Sequence, residues 1–118
     1  MKIKLTIEQD QYTATLNNSK AAADFIGLLP MTLTLEDYAG MEKISDLPKR
    51  LATDRSPKSK SASIGDITYY APWGNLAIFF RDFRNSPDLI KLGSIDAGGE
   101  KLSSYKGPVE ARLDILEE

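Results

Sequence analysis

Apolar and polar residues alternate with a period of two through four stretches of this chain. Ile3, Leu5 and Ile7 alternate with Lys2, Lys4 and Thr6; Tyr12, Ala14 and Leu16 with Thr13 and Thr15. Met31, Leu33 and Leu35 alternate with Thr32 and Thr34; Val109, Ala111, Leu113 and Ile115 with Glu110, Arg112 and Asp114. Successive side chains of a strand point to opposite faces, so each stretch reads as a strand with one buried face. The polar Gln9-Asp10-Gln11 makes the first two a hairpin. Ile67 and Tyr69 opposite Thr68 and Tyr70 add a strand, and a Pro72-Trp73-Gly74-Asn75 turn leads into LAIFF, apolar on both faces and therefore central. Ile90, Leu92 and Ile95 mark another.

One helix interrupts this pattern. Asn17-Asn18-Ser19 offers capping oxygens, and Ala21, Ala22, Phe25, Ile26 and Leu29 fall at helical spacing before Pro30, which predicts a helix over 20–29. Gly98-Gly99 opens a short turn or helical piece. From Asp37 to Ser63 the periodicity is lost and Gly, Pro, Ser and Lys collect, which reads as a long loop pinned by Tyr38, Leu47 and Leu51, with RSPKSKSAS as its mobile part. About seven strands joined mainly by turns predict a mostly β fold, a small closed barrel or sandwich, rather than a parallel sheet with crossover helices.

With 118 residues, 42% of them hydrophobic, the chain fits a single domain over 1–118. It has neither cysteine nor histidine, which excludes thiolate zinc sites, iron–sulfur ligation, Cys–His dyads, serine triads and HExxH sites. No run resembles a calcium loop, and neither GxGxxG nor GxxxxGK[ST] occurs, so no metal and no cofactor is expected. Pairs such as Asp82 with Asp88, or Glu36 with Asp37, read as solvated carboxylates rather than catalytic dyads. The formal net charge of -2 provides no field for nucleic acid. Lys49, Arg50, Arg55, Lys58 and Lys60, broken by Asp54 and without interleaved aromatics, read as a solvated loop. MKIKLTIEQD lacks the apolar run of a signal peptide, and no segment approaches the ~18 apolar residues of a membrane span. The expectation is a cytoplasmic protein without membrane or nucleic-acid partners.

The densest aromatic region is YYAPWGNLAIFFRDF, with Tyr69, Tyr70, Trp73, Phe79, Phe80 and Phe83. At period two these rings cannot all face one core, so one face meets the barrel interior and the other a cover or a ligand groove. Trp73, in a turn after Pro72, is the residue least explained by strand packing. The candidate ligand-binding residues are therefore Tyr70, Trp73, Asn75, Phe80, Arg81 and Phe83, offered to a small molecule or an extended peptide.

MKIKLTI, FIGLLPMTLTLEDYAGMEKISDLP, IGDITYYAPWGNLAIFFRDF and LIKLGSID, in this order, resemble the bacterial cyclophilin-like domain family, small stand-alone proteins of largely unassigned activity. The resemblance implies the closed, roughly eight-stranded barrel of cyclophilins. Cyclophilins isomerise X-Pro bonds with an arginine, an apolar proline pocket and a helping Gln, Trp and His. Here there is no His, GDIT at 65–68 has no nearby arginine, and Leu76 stands where the glutamine of GSQFF would fall. The catalytic set does not carry over, so the expectation is an uncharacterised binding domain with no catalytic residues. A weak peptidyl-prolyl isomerase is the alternative, with Arg81 or Arg84 as amide donor beside Phe80 and Phe83, since the reaction needs no acid–base group. A protein-interaction module is the third class, because the resemblance also implies association with flavodoxin-like proteins in some bacteria.

Overall fold

A computed structural model describes residues 1–53, 58–59, 61–84 and 88–116. Its strands are β1 (Lys2–Ile7), β2 (Asp10–Leu16), β3 (Met31–Tyr38), β4 (Glu42–Asp46), β5 (Lys58–Ser59), β6 (Asp66–Tyr70), β7 (Asn75–Phe79), β8 (Leu89–Ile95) and β9 (Val109–Leu116). They pair in the order β2-β1-β9-β3-β4-β7-β6-β8, and β8 pairs back onto β2 to close an antiparallel eight-stranded barrel. The two-residue β5 is an extra strand on the free edge of β8. The four alternating stretches become β1, β2, β3 and β9, with Ile3, Leu5, Ala14, Leu35, Ala111 and Leu113 fully buried inside. Leu76, Ile78, Ile67, Tyr69 and Leu92 complete a lumen filled with side chains, as a barrel of this strand number requires.

Helix α1 (Lys20–Ile26) buries Ala21, Ala22 and Phe25, and Ser19 Oγ accepts from the Ala22 amide at 3.1 Å as its N-cap. It stops short of the expected residue 29, because the Leu28 and Leu29 amides tighten onto the carbonyls of Phe25 and Ile26 ahead of Pro30. The glycine pair opens a 3₁₀ helix over Gly99–Ser104. Among the described residues no helix is long and apolar enough to cross a membrane.

The expected loop from 37 to 63 is corrected in its first part, where the end of β3 and all of β4 form a hairpin. β4 escapes hydrophobic alternation because its inward residue is Lys43, which is fully buried. Its ammonium donates to the Tyr105 carbonyl at 2.6 Å, pairs with Asp37 at 2.5 Å and stands 5.8 Å from the Phe80 ring centre. Three partners compensate a charge that would otherwise not tolerate the interior. Leu51 is buried and Leu47 packs on the core, as their apolar character predicts. Of RSPKSKSAS, Arg55, Ser56, Pro57 and Lys60 lie outside the described residues, while Ala62 bridges to Phe83.

Two seams set the shape of the barrel. At β2–β8 three pairs, Ala14–Ile95, Thr15–Ser94 and Leu16–Gly93, close the cylinder. The backbones approach so tightly that a Cβ on Gly93 would lie 2.2 Å from the Thr15 carbonyl oxygen. The seam is extended past its ends by Asn17, whose side-chain amide donates to the Lys91 carbonyl, and by Asp96, whose carboxylate accepts from Lys2, Thr13 and Thr15. These donors, Lys2 first, hold the Asp96 carboxyl below its ordinary range. At β3–β4 three pairs also form, Glu36–Ile44, Asp37–Lys43 and Tyr38–Glu42. There the ladder ends: β3 continues only against β9, and Ser45 and Asp46 only against β7.

Candidate functional site

Strand alternation puts Leu33, Leu35, Lys43, Leu76 and Ile78 inside the barrel and their neighbours outside. The outer face across β3, β4, β7 and β6 can be read as rungs. Tyr38, Glu42 and Phe79 form one, Glu36, Ile44, Ala77 and Thr68 the next, and Asp46, Asn75 and Tyr70 the third. Trp73, from the turn between β6 and β7, lies edge-on to rings at both ends of this face. Its ring centre is 5.3 Å from that of Tyr70 at 88° and 5.6 Å from that of Tyr38 at 87°. Tyr38 and Tyr70 belong to the first and third rungs, so Trp73 links residues from both ends of this face.

The turn that carries Trp73 is fixed from below. Arg50 Nη1 donates to the Ala71 carbonyl at 3.0 Å, and the Gly74 amide returns to the Tyr70 carbonyl at 2.8 Å. Gly74 has φ +71°, and its missing side chain makes room for the Arg50 guanidinium, which a Cβ would meet at 3.3 Å. With the turn anchored on that side, the indole is left 57% exposed. Large exposed aromatics held by edge-to-face contacts offer ring faces to a ligand at low conformational cost.

Beside the aromatic trio, where the β3–β4 ladder ends, opens a cleft of about 310 Å³ lined by Thr34, Glu36, Ile44, Ser45, Asp46 and Asn75. Asn75 is 4% exposed, and its Oδ1 has no hydrogen-bond partner. A buried amide oxygen without a donor costs about 1–3 kcal/mol, so it is an unusual thing for a fold to keep. Glu42, in the rung with Tyr38 and Phe79, has its carboxyl pushed up to about 7 by burial. Two other clefts, one beside α1 at Asp24 and Arg50 and one on β1, β3 and β9, contain no orphaned buried polar atom among the described residues.

The six expected site residues divide into two groups. Tyr70, Trp73 and Asn75 come together at one end of β7. Phe80, Arg81 and Phe83 lie past its other end. Phe80 is buried in the main core against Lys43; Arg81 is exposed and its Nε donates to the Gly40 carbonyl at 3.1 Å. Phe83 stacks on Phe79, ring centres 6.1 Å apart, in a satellite cluster with Ala62 and Leu89 outside the barrel. Tyr38, Glu36, Ile44 and Asp46 join the site through the β3–β4 hairpin. Their only sequence signal was a tyrosine among charges, which does not reveal that register places it against Trp73.

Other charged pairs have structural partners. Asp82 accepts from the Ile64 amide at 2.9 Å, and Asp88 pairs with Lys58 at 3.2 Å. Tyr105 donates to Asp10 and shares a 2.6 Å bond with Tyr12, and burial pushes its hydroxyl up so that it stays protonated. Among the described residues no three acidic side chains group as a metal site.

The fold has counterparts among solved structures. The solution structure of the hypothetical protein AF2241 from Archaeoglobus fulgidus superposes with a TM-score of 0.68 at 15% identity, covering 97% of this chain and 93% of that one. McbB, solved in complex with tryptophan, superposes with a TM-score of 0.74 at 13% identity, covering 98% of this chain. The chain spans 45% of McbB. At such identities the likeness is one of fold. No curated protein sequence matches. The sequence model of the cyclophilin-like family, however, matches residues 5–114, nearly the whole barrel from β1 to β9, and the chain belongs to that family.

Proposed function

We propose that this domain is a binding module without catalytic residues, which takes a small molecule or an extended peptide on the outer face of β3, β4 and β7. The observation that carries the reading is Trp73, more than half exposed, propped edge-on between Tyr38 and Tyr70 beside a cleft. Aromatic faces supply apolar contact, and the cleft supplies a few polar groups that would orient a ligand. The likeness to McbB, a protein solved with tryptophan bound, adds that a barrel of this shape occurs in a ligand-binding protein. Isomerase chemistry finds little support: the Arg81 Nε is engaged by Gly40, and Phe80 lies inside the barrel rather than flooring a groove.

Trp73 is the sole tryptophan, so its emission reports on this face. We expect a panel of acetylated tripeptide amides with aromatic, aliphatic, acidic or basic central residues to include members that shift this emission saturably, and Trp73→Ala to abolish their binding by calorimetry. A panel in which no member binds at millimolar concentration would refute the reading. In a proline-peptide assay the rate is expected to equal the uncatalysed one, which takes tens to hundreds of seconds.

A further inference from the structure

Among the described residues the Glu42 carboxyl has no ion-pair partner, although it stands partly buried between two aromatic side chains. Tyr38 is its register partner on β3, and directly opposed side chains on one sheet face have Cβ atoms about 4.5–5.5 Å apart. Phe79, its partner on β7, is fully buried in the satellite cluster and stacks on Phe83. Tyr38 in turn is 44% exposed and packs edge-on against Trp73 at 5.6 Å. The carboxyl therefore lies one register pair from a ring that holds the indole. We infer that Glu42 is a proton-sensitive latch on the aromatic face: neutral, it leaves Tyr38 packed on Trp73, and ionised, it turns out to water and takes Tyr38 off the indole. This control belongs to the fold itself and does not require a ligand.

The backbone around Glu42 is fixed, so its side chains have to give way. The Asp37–Lys43 pair, with Lys43 bound also to the Tyr105 carbonyl, clamps the hairpin from the inner side, and the Phe80 amide donates to the Met41 carbonyl at 3.0 Å. A carboxylate formed in an apolar rung without a partner is costly, and the exposed Tyr38 ring is the neighbour free to yield. The charged groups around it act in two senses. Glu36 and Asp46, one and two rungs along the same face, oppose ionisation. Arg81, exposed past the end of β7, donates its Nε to the Gly40 carbonyl in the same hairpin turn and is the cation that an ionised Glu42 can draw away. Lys43 and Asp37 already neutralise each other on the other side of the hairpin, and Asp82 is held by the Ile64 amide. With burial as its cause, the carboxyl changes charge at about 7, in a chain that has no histidine to do so.

The test is a pH titration of the whole chain without ligand, from pH 5 to 9, following the Trp73 indole signal in ¹H–¹⁵N spectra and the Glu42 carboxyl carbon in ¹³C spectra. Both signals should trace one transition with a midpoint of about 7. In Glu42→Gln, which keeps every other titrating group, the Trp73 signal should stay flat across that range. In Tyr38→Leu the Glu42 carbon should still titrate while Trp73 no longer follows it, which a purely local pH effect on the indole would not produce. The inference is overturned if Glu42 titrates and Trp73 does not move, or if the Glu42 midpoint lies below pH 5. It is equally overturned if the Trp73 transition persists in a folded Glu42→Gln or Tyr38→Leu variant. Because no ligand is present, any of these failures leaves the binding role of the aromatic face to be judged by the peptide panel alone.

Discussion

The barrel has two seams of equal length and opposite character. β2–β8 and β3–β4 each carry three registered pairs, yet the first is backbone against backbone at Gly93, whereas the second parts after Glu36–Ile44 and leaves a cleft. What differs is the support beyond the ladder. Asn17, Asp96 and β5 continue the β2–β8 edge in both directions. At β3–β4 the charge pair Asp37–Lys43 clamps one part of the hairpin, while the other releases its strands to separate neighbours. Closure of the cylinder and access to its outer face are thus assigned to different places.

The most damaging way to break this contrast is Gly93→Ala. A methyl group 2.2 Å from the Thr15 oxygen forces the strands apart, and we expect a loss of about 3 kcal/mol or more in urea unfolding. A loss within 0.5 kcal/mol would show that the seam is looser than drawn. Next come the two halves of the clamp at β3–β4. Asp37→Ala leaves a fully buried ammonium with only a carbonyl and a ring, and is expected to cost about 3 kcal/mol. Lys43→Met fills the same space, leaving Asp37, nearly half exposed, in water and only the Tyr105 carbonyl unpaired, at about 1–2 kcal/mol. Removing the more exposed partner should therefore hurt more, and the reverse order would mean that the lysine is not held as a buried charge.

A gain is expected at the open end. Asn75→Leu replaces an unsatisfied amide with an apolar side chain of similar size, so thermal unfolding should show stabilisation by about 1 kcal/mol while ligand binding at the cleft is lost. Destabilisation would indicate that the amide has a structural partner.

The smallest effect lies in the pH dependence, where the seams should respond in opposite directions. Glu42 has a folded pKa of about 7 against an ordinary 4.5, so the folded state binds more protons across that window and stability falls as pH rises through it. With Glu42 partly exposed, so that solvent screens the group, the change should be about 1 kcal/mol, and Glu42→Gln should flatten it. Asp96 has a lowered folded pKa, so its contribution is present above the ordinary 3.8 and lost as pH falls through the lowered value. Melting profiles from pH 2 to 8, with Glu42→Gln and Asp96→Asn alongside, separate the two.

Most of the frame is legible in the sequence because seven of the strands obey simple patterning: β1, β2, β3 and β9 alternate, and β6, β7 and β8 are dense in apolar residues. β4 is not legible, since the residue it buries is a lysine and those it turns outward are Glu42, Ile44 and Asp46, which inverts the usual code. β5, with two residues, leaves no periodic signal at all. The candidate site is half legible for the same reason. Trp73 announces itself as an aromatic in a turn, and Tyr70 and Asn75 follow by proximity. Tyr38 and Glu36 arrive only through long-range register, and whether Asn75 is buried or wet is decided by strands far away in sequence.

The position of β9 also governs how the molecule can be assembled. It lies between β1 and β3, pairing Ile3 with Ile115 and Leu33 with Ala111, so the strand that comes last in the chain order of the barrel is inserted between two earlier ones. Until it arrives, β1–β2 and β3–β4 are hairpins separated by a gap, each presenting an unpaired edge. Contacts across more than a hundred residues must then form late and together. Such a topology folds slowly for its size and leaves strand edges unpaired until β9 is in place.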